Sequence, residues 1–103
     1  MKYLSTRDRA LRVTGAEAVK LGLSRDGGLL TPEAVPQIGE AFLKSLTGAS
    51  YQERAAKVMA LYLTDYSEEE LLGFANNAYG PDKYGHPAAA PLRKVDGSTH
   101  CLE

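Results

Sequence analysis

A single cysteine, Cys101, stands in this chain of 103 residues. It cannot close an internal disulfide, and so sparse a use of cysteine fits a reducing compartment. No apolar run approaches the length that crosses a bilayer. The opening residues, MKYLSTRDR, contain no apolar stretch of the kind that directs secretion. Basic residues are in no excess: 12 lysines and arginines face 13 acids, for a net charge of −1. A nucleic-acid surface ordinarily needs a basic surplus. Repeats and low-complexity tracts are also missing, HPAAAP at 86–91 being too short to count. What is present is ordinary, with 44% hydrophobic and 24% charged residues, a balance that excludes a disordered tail. The length predicts one domain with a modest core, in which about two-thirds of the unfolded surface is buried. The expectation is a soluble, cytoplasmic domain with neither a nucleic-acid nor a membrane partner.

Tyr3 and Leu4 open a short strand before the chain turns polar. Thr14 and Glu17 carry the spacing of a capping box, in which each side chain satisfies an otherwise unpaired backbone N–H. A short helix through Leu21 follows. Gly22 is placed as its C′ residue, where glycine enters the left-handed region without steric cost. SRDGG (24–28) reads as loop and LLTP (29–32) as a brief strand ended by Pro32. Pro32 and Pro36 keep the next stretch irregular. Ile38, Ala41, Phe42, Leu43 and Leu46 then recur at helical spacing up to Gly48. Ser50 with Glu53 makes a second capping box, and Tyr51, Ala55, Val58, Met59 and Tyr62 line one face of the helix it starts. Ser67 with Glu70 repeats the device ahead of a stripe of Leu71, Leu72, Ala75, Ala78 and Tyr79, which Gly80-Pro81 stops. DKYGHPAAAP (82–91) is loop. PLRKV and STHCLE flank Asp96-Gly97, a dipeptide suited to a two-residue type I′ hairpin turn. The order predicts an α+β fold, a mostly helical small domain with a short N-terminal strand, a brief second strand and a C-terminal β-hairpin. An isolated two-stranded ribbon is marginal in water, and an open edge pairs with another chain, so self-association of this segment is expected.

Catalytic constellations are not evident. His86, His100, Cys101 and Asp96 lack the spacing of a metal site, so no metal is expected. His100 and Cys101 are adjacent in a strand and point to opposite faces, which prevents a Cys–His nucleophilic pair. Glu68, Glu69 and Glu70 read as acids favoured by a helix dipole. The lysines fall among polar neighbours, without the desolvated setting that lowers a lysine's pKa for Schiff-base work. The helix after Ser67 is acidic where a recognition helix needs Arg or Lys against phosphate. RDGGL is glycine-rich and can fold as a backbone nest for an anion or as a plain turn. It is not the dinucleotide-binding fingerprint. Ser5, Thr6 and Arg7 differ in kind. Two hydroxyls and a guanidinium after an apolar strand start suit hydrogen bonding to a phosphate or carboxylate. An exposed strand end with a solvated arginine fits the same three residues.

Taken in order, MKYLSTR (1–7), AVKLGLSRDGGLLTPE (18–33), SYQERAAKVM (50–59), SEEEL (67–71), AYG (78–80), HPAAAPL (86–92) and CLE (101–103) resemble the N-terminal domain of threonine synthases. The YxSTR start and the GLxxDGGLxxPE run are the most specific parts. The resemblance implies a fold-type II pyridoxal-phosphate enzyme of threonine biosynthesis, which turns O-phosphohomoserine and water into threonine and phosphate with the cofactor as electron sink. It implies that the groups holding the cofactor, its lysine included, lie downstream of Glu103. No catalytic or cofactor-binding residue is then expected in this segment. Its expected role is to pack on the downstream catalytic domains of the same chain and wall the substrate cleft. Arg7 becomes the candidate contact for the substrate phosphate, with Ser5 and Thr6 in support. Asp8 stands where the family usually has glycine, and a carboxylate there would compete for Arg7. The chain reads as an excised N-terminal domain, with Leu102-Glu103 either native or appended. The competing reading is a free-standing helical protein-interaction adaptor.

Overall fold

The computed structural model describes residues 1–103. Five short strands and four helices follow in the order β1 (Tyr3–Ser5), β2 (Arg12–Val13), α1 (Gly15–Leu21), β3 (Leu30–Pro32), α2 (Glu40–Leu46), α3 (Tyr51–Tyr62), α4 (Glu68–Ala78), β4 (Leu92–Lys94) and β5 (His100–Leu102). This is the expected α+β architecture, with β2 as an addition. A two-residue strand is too short to show an alternating pattern, and β2 exists only because β1 accepts it as a partner. The first sheet is antiparallel in the order β2-β1-β3, with Tyr3 opposite both Val13 and Pro32. Pro32 is tolerated because it closes an edge strand, where a missing N–H breaks no inner ladder.

Three helices start as their spacing predicts. Thr14 Oγ1 accepts from the Glu17 N–H at 3.2 Å, and Glu17 Oε2 accepts from the Thr14 N–H at 2.8 Å. The Ser50–Glu53 and Ser67–Glu70 boxes repeat this reciprocity at α3 and α4. α2 starts at Gly39 with no side-chain cap and buries none of its residues, and Ile38 lies ahead of it. α3 packs on α4 around Ala56, Leu71 and Ala75, with Met59, Ala60, Leu63, Leu72 and Tyr79 against them. Ala55 and Met59 of the expected stripe pack on this core, but the seam extends to Ala56 and leaves Val58 outside it. Ala56 faces α4, whereas Val58 is 42% exposed. A small side chain at the crossing lets the two backbones approach, so the seam centres on Ala56 and the residues one and two turns beyond it. Ala78 is likewise exposed.

Two details of backbone differ from expectation. Gly22 has φ 69° and ψ −66°, and the Leu23 N–H donates to the Leu21 carbonyl at 2.8 Å. The positive φ is as predicted, but the geometry is a tight γ-turn, not a left-handed helical cap. In the hairpin, Lys94 pairs with His100 and the Val95 N–H donates to the Thr99 carbonyl. Only Asp96, Gly97 and Ser98 are left for the loop. An odd number of residues between paired positions cannot hold a two-residue turn, and Gly97 is not among the glycines with positive φ. All six residues of β4 and β5 are exposed.

The sheet and α1 are tied to the α3–α4 pair by polar contacts. Asp65, in the α3–α4 connection, accepts the Ala16 N–H at 2.7 Å, a second cap on α1. The Tyr3 hydroxyl donates to the Tyr62 carbonyl at 3.3 Å. Gly15 suits this approach, since a Cβ would stand 2.6 Å from Asp65 Oδ1 and the carboxylate would have to shift.

Candidate functional site

β1 ends at Ser5, and the chain then bends under the loop that joins α1 to β3. A bridge between Leu23 and Leu29 closes that loop, with the Ser24 N–H bonded to the Gly28 carbonyl at 2.9 Å. Ser5, Thr6 and Arg7 all bond to it. Ser5 is 1% exposed, and its hydroxyl donates to the Asp26 carboxylate, with both oxygens at 2.9 Å. The same Oγ accepts the Arg7 N–H at 3.1 Å. Thr6 exchanges bonds with Leu29: its N–H donates to the Leu29 carbonyl at 2.9 Å, and its Oγ1 accepts the Leu29 N–H at 3.0 Å. Arg7 Nη1 donates to the Asp26 carbonyl at 3.0 Å.

The glycines fit this closeness. A Cβ at Gly27, where φ is 76°, would stand 2.9 Å from Arg7 Nη1, and one at Gly28 would overlap Ser5 Oγ. The amides of both are committed within the loop, Gly27 to the Ser24 carbonyl and Gly28 to Asp26 Oδ1 at 2.8 Å. The loop is therefore a turn that clamps the strand end, and its two glycine amides are not free for an anion. The Gly28 N–H holds the Asp26 carboxyl below its ordinary value, with Ser5, Ser24 and the Arg7 charge adding to the effect against desolvation. Ser24 Oγ is buried and has no hydrogen-bond partner by distance and angle, so its effect on the Asp26 carboxyl is that of a nearby hydroxyl and not of a formed bond.

Asp8 does not compete for Arg7. Its Oδ1 accepts the Ala10 N–H at 2.9 Å, and the two ion pairs of the chain are Lys44–Glu40 and Arg93–Glu103. Arg7 is exposed, and its guanidinium makes one hydrogen bond, to a neutral carbonyl. Its remaining donors and the Thr6 hydroxyl proton are available, whereas the Ser5 proton is committed. The sequence thus named three residues that share one site, and it missed Asp26. The signal for Asp26 was the acid before two glycines, a run whose turn character was evident and whose partner was not. His86 and His100 remain apart from this site, His86 Nδ1 accepting the Ala88 N–H at 3.0 Å. Cys101 is an exposed free thiol in β5.

A family model described as "Threonine synthase N terminus" matches residues 2–79. The chain belongs to this family. Threonine synthase of Schizosaccharomyces pombe is 32% identical over 105 residues, covering all of this chain and 20% of that protein. Threonine synthase of Pseudomonas aeruginosa is 32% identical over 104 residues, covering all of this chain and 22% of its own. The crystal structure of PLP-bound threonine synthase from Brucella melitensis matches the whole chain with a TM-score of 0.87 at 34% identity, across 22% of that structure. This chain spans about a fifth of the length of the curated relatives it matches.

The lysines present do not fit a Schiff-base site for pyridoxal phosphate. All of the lysines are exposed, Lys44 pairs with Glu40 at 2.7 Å, and Lys57 Nζ donates to the Ser45 carbonyl at 2.8 Å. None has the desolvated surroundings that Schiff-base chemistry requires.

Proposed function

We propose that this chain serves as the N-terminal domain of a pyridoxal-phosphate-dependent threonine synthase, which converts O-phosphohomoserine and water to threonine and phosphate. The family match over residues 2–79, in a chain a fifth as long as its relatives, carries this reading. The segment is itself non-catalytic. It packs on catalytic domains of the same chain, which supply the cofactor site. At the cleft it presents Arg7 and Thr6 to the substrate phosphate. Ser5, buried and bonded to Asp26, supports them without touching substrate.

Two measurements test the reading. Arg7→Ala in the full-length enzyme should lower kcat/KM for O-phosphohomoserine roughly 10- to 100-fold, the worth of a charge-assisted hydrogen bond. An unchanged kcat/KM would end the role of Arg7. The 103-residue segment alone should show no turnover and no new absorbance band with pyridoxal phosphate. It should also self-associate, because both strands of the β4–β5 hairpin are exposed. Light scattering that shows a strict monomer at every concentration would remove that expectation.

A further inference from the structure

We propose that Asp26 is a positioning residue that sets Arg7 for an incoming phosphate. This rests on the reading of Arg7 and Thr6 given above. Asp26 reaches Arg7 by two routes. Its carboxylate accepts a hydrogen bond from the Ser5 hydroxyl, which leaves the Ser5 oxygen to accept the Arg7 N–H at 3.1 Å and fixes the main chain there. Its carbonyl holds Arg7 Nη1 at 3.0 Å and so aims the guanidinium. The second route matters for charge. A contact ion pair with the carboxylate would neutralise the arginine, whereas a carbonyl orients it and leaves its charge for an anion. The Asp26 carboxylate is instead occupied by the Ser5 hydroxyl and the Gly28 N–H. A Cβ at Gly27 would meet Arg7 Nη1 and one at Gly28 would meet Ser5 Oγ, so the loop lies directly against the strand end.

Asparagine at this position keeps the shape and one acceptor oxygen, but it removes the charge and turns one of the two oxygens beside Ser5 Oγ into an N–H donor, so a neutral amide holds the Ser5 hydroxyl in place of a carboxylate. The test uses the full-length enzyme, with inorganic phosphate as the probe. Asp26→Asn should raise the inhibition constant of inorganic phosphate and the KM for O-phosphohomoserine about tenfold, with kcat changed much less. In an Arg7→Ala background Asp26→Asn should add nothing to either constant, because its effect runs through Arg7. Should Asp26→Asn fail to fold, Ser5→Ala carries the same test. A rise in the phosphate constant that Arg7→Ala abolishes supports the role, and no rise overturns it. A loss that adds fully to that of Arg7→Ala, or a fall in Tm and kcat with the phosphate constant unmoved, would reduce Asp26 to a structural residue and overturn the proposal. If Arg7→Ala itself leaves the phosphate constant unchanged, the phosphate reading of the site fails and takes this inference with it.

Discussion

At Gly22 the chain turns in a way that glycine alone adopts cheaply. No atom lies within 4 Å of the space a Cβ would take, so the cost of Gly22→Ala is one of backbone alone. A φ of 69° with ψ −66° strains any L side chain, by about 1–3 kcal/mol. The midpoint of urea unfolding for Gly22→Ala should fall accordingly, and an unchanged midpoint would show that the γ-turn relaxes. Gly28→Ala fails for a different reason, since its methyl enters the space of Ser5 Oγ. A glycine after a helix is visible in sequence because the requirement is local. The Ser5–Asp26 bond spans 21 residues, and no local pattern tells which strand end a loop will fold over. The three polar residues at 5–7 were therefore legible as a candidate site, and the acid that organises them was not.

Helix starts were the most legible elements, because a capping box acts across three residues. Ser50→Ala removes the acceptor of the Glu53 N–H and should cost about 1 kcal/mol. A denaturant titration with an unmoved midpoint would show that the box contributes nothing to α3. The seam of α3 was less legible. Ala55 and Ala56 are both apolar and both small, so the period of the helix cannot choose between them. In the fold both pack on the α3–α4 core, Ala56 buried and Ala55 partly so, and the seam is broader on that side than the expected stripe. The hairpin is a similar case. Asp96-Gly97 marked where the chain reverses, but register fixed the loop at three residues. The registration Leu92–Leu102, Arg93–Cys101 and Lys94–His100 is a property of two strands together and of neither alone.

The whole molecule has few buried residues, nine of 103, and relies on carboxylates that accept backbone N–H groups. Bonds from Thr14, Ser50, Ser67, Gly28 and Ala16 hold the carboxyls of Glu17, Glu53, Glu70, Asp26 and Asp65, respectively, below their ordinary values. A carboxyl depressed in the folded state contributes stability above its unfolded pKa, near 4, and loses it as pH falls through the folded value. Tm should therefore be level above about pH 5 and decline steadily below it. Asp65→Asn should flatten that decline, and an identical slope would exclude Asp65 from it. Asp65 also has a kinetic consequence. First-turn amides have no carbonyl within their own helix, so in a helix of seven residues they are open to solvent. The Ala16 amide is instead covered by a side chain 49 residues away. Fraying of α1 from its C-terminal end leaves that cover in place. Deuterium enters at Ala16 when the bond to Asp65 opens, so the exchange rate of this one amide reports on the contact between α1 and the α3–α4 connection.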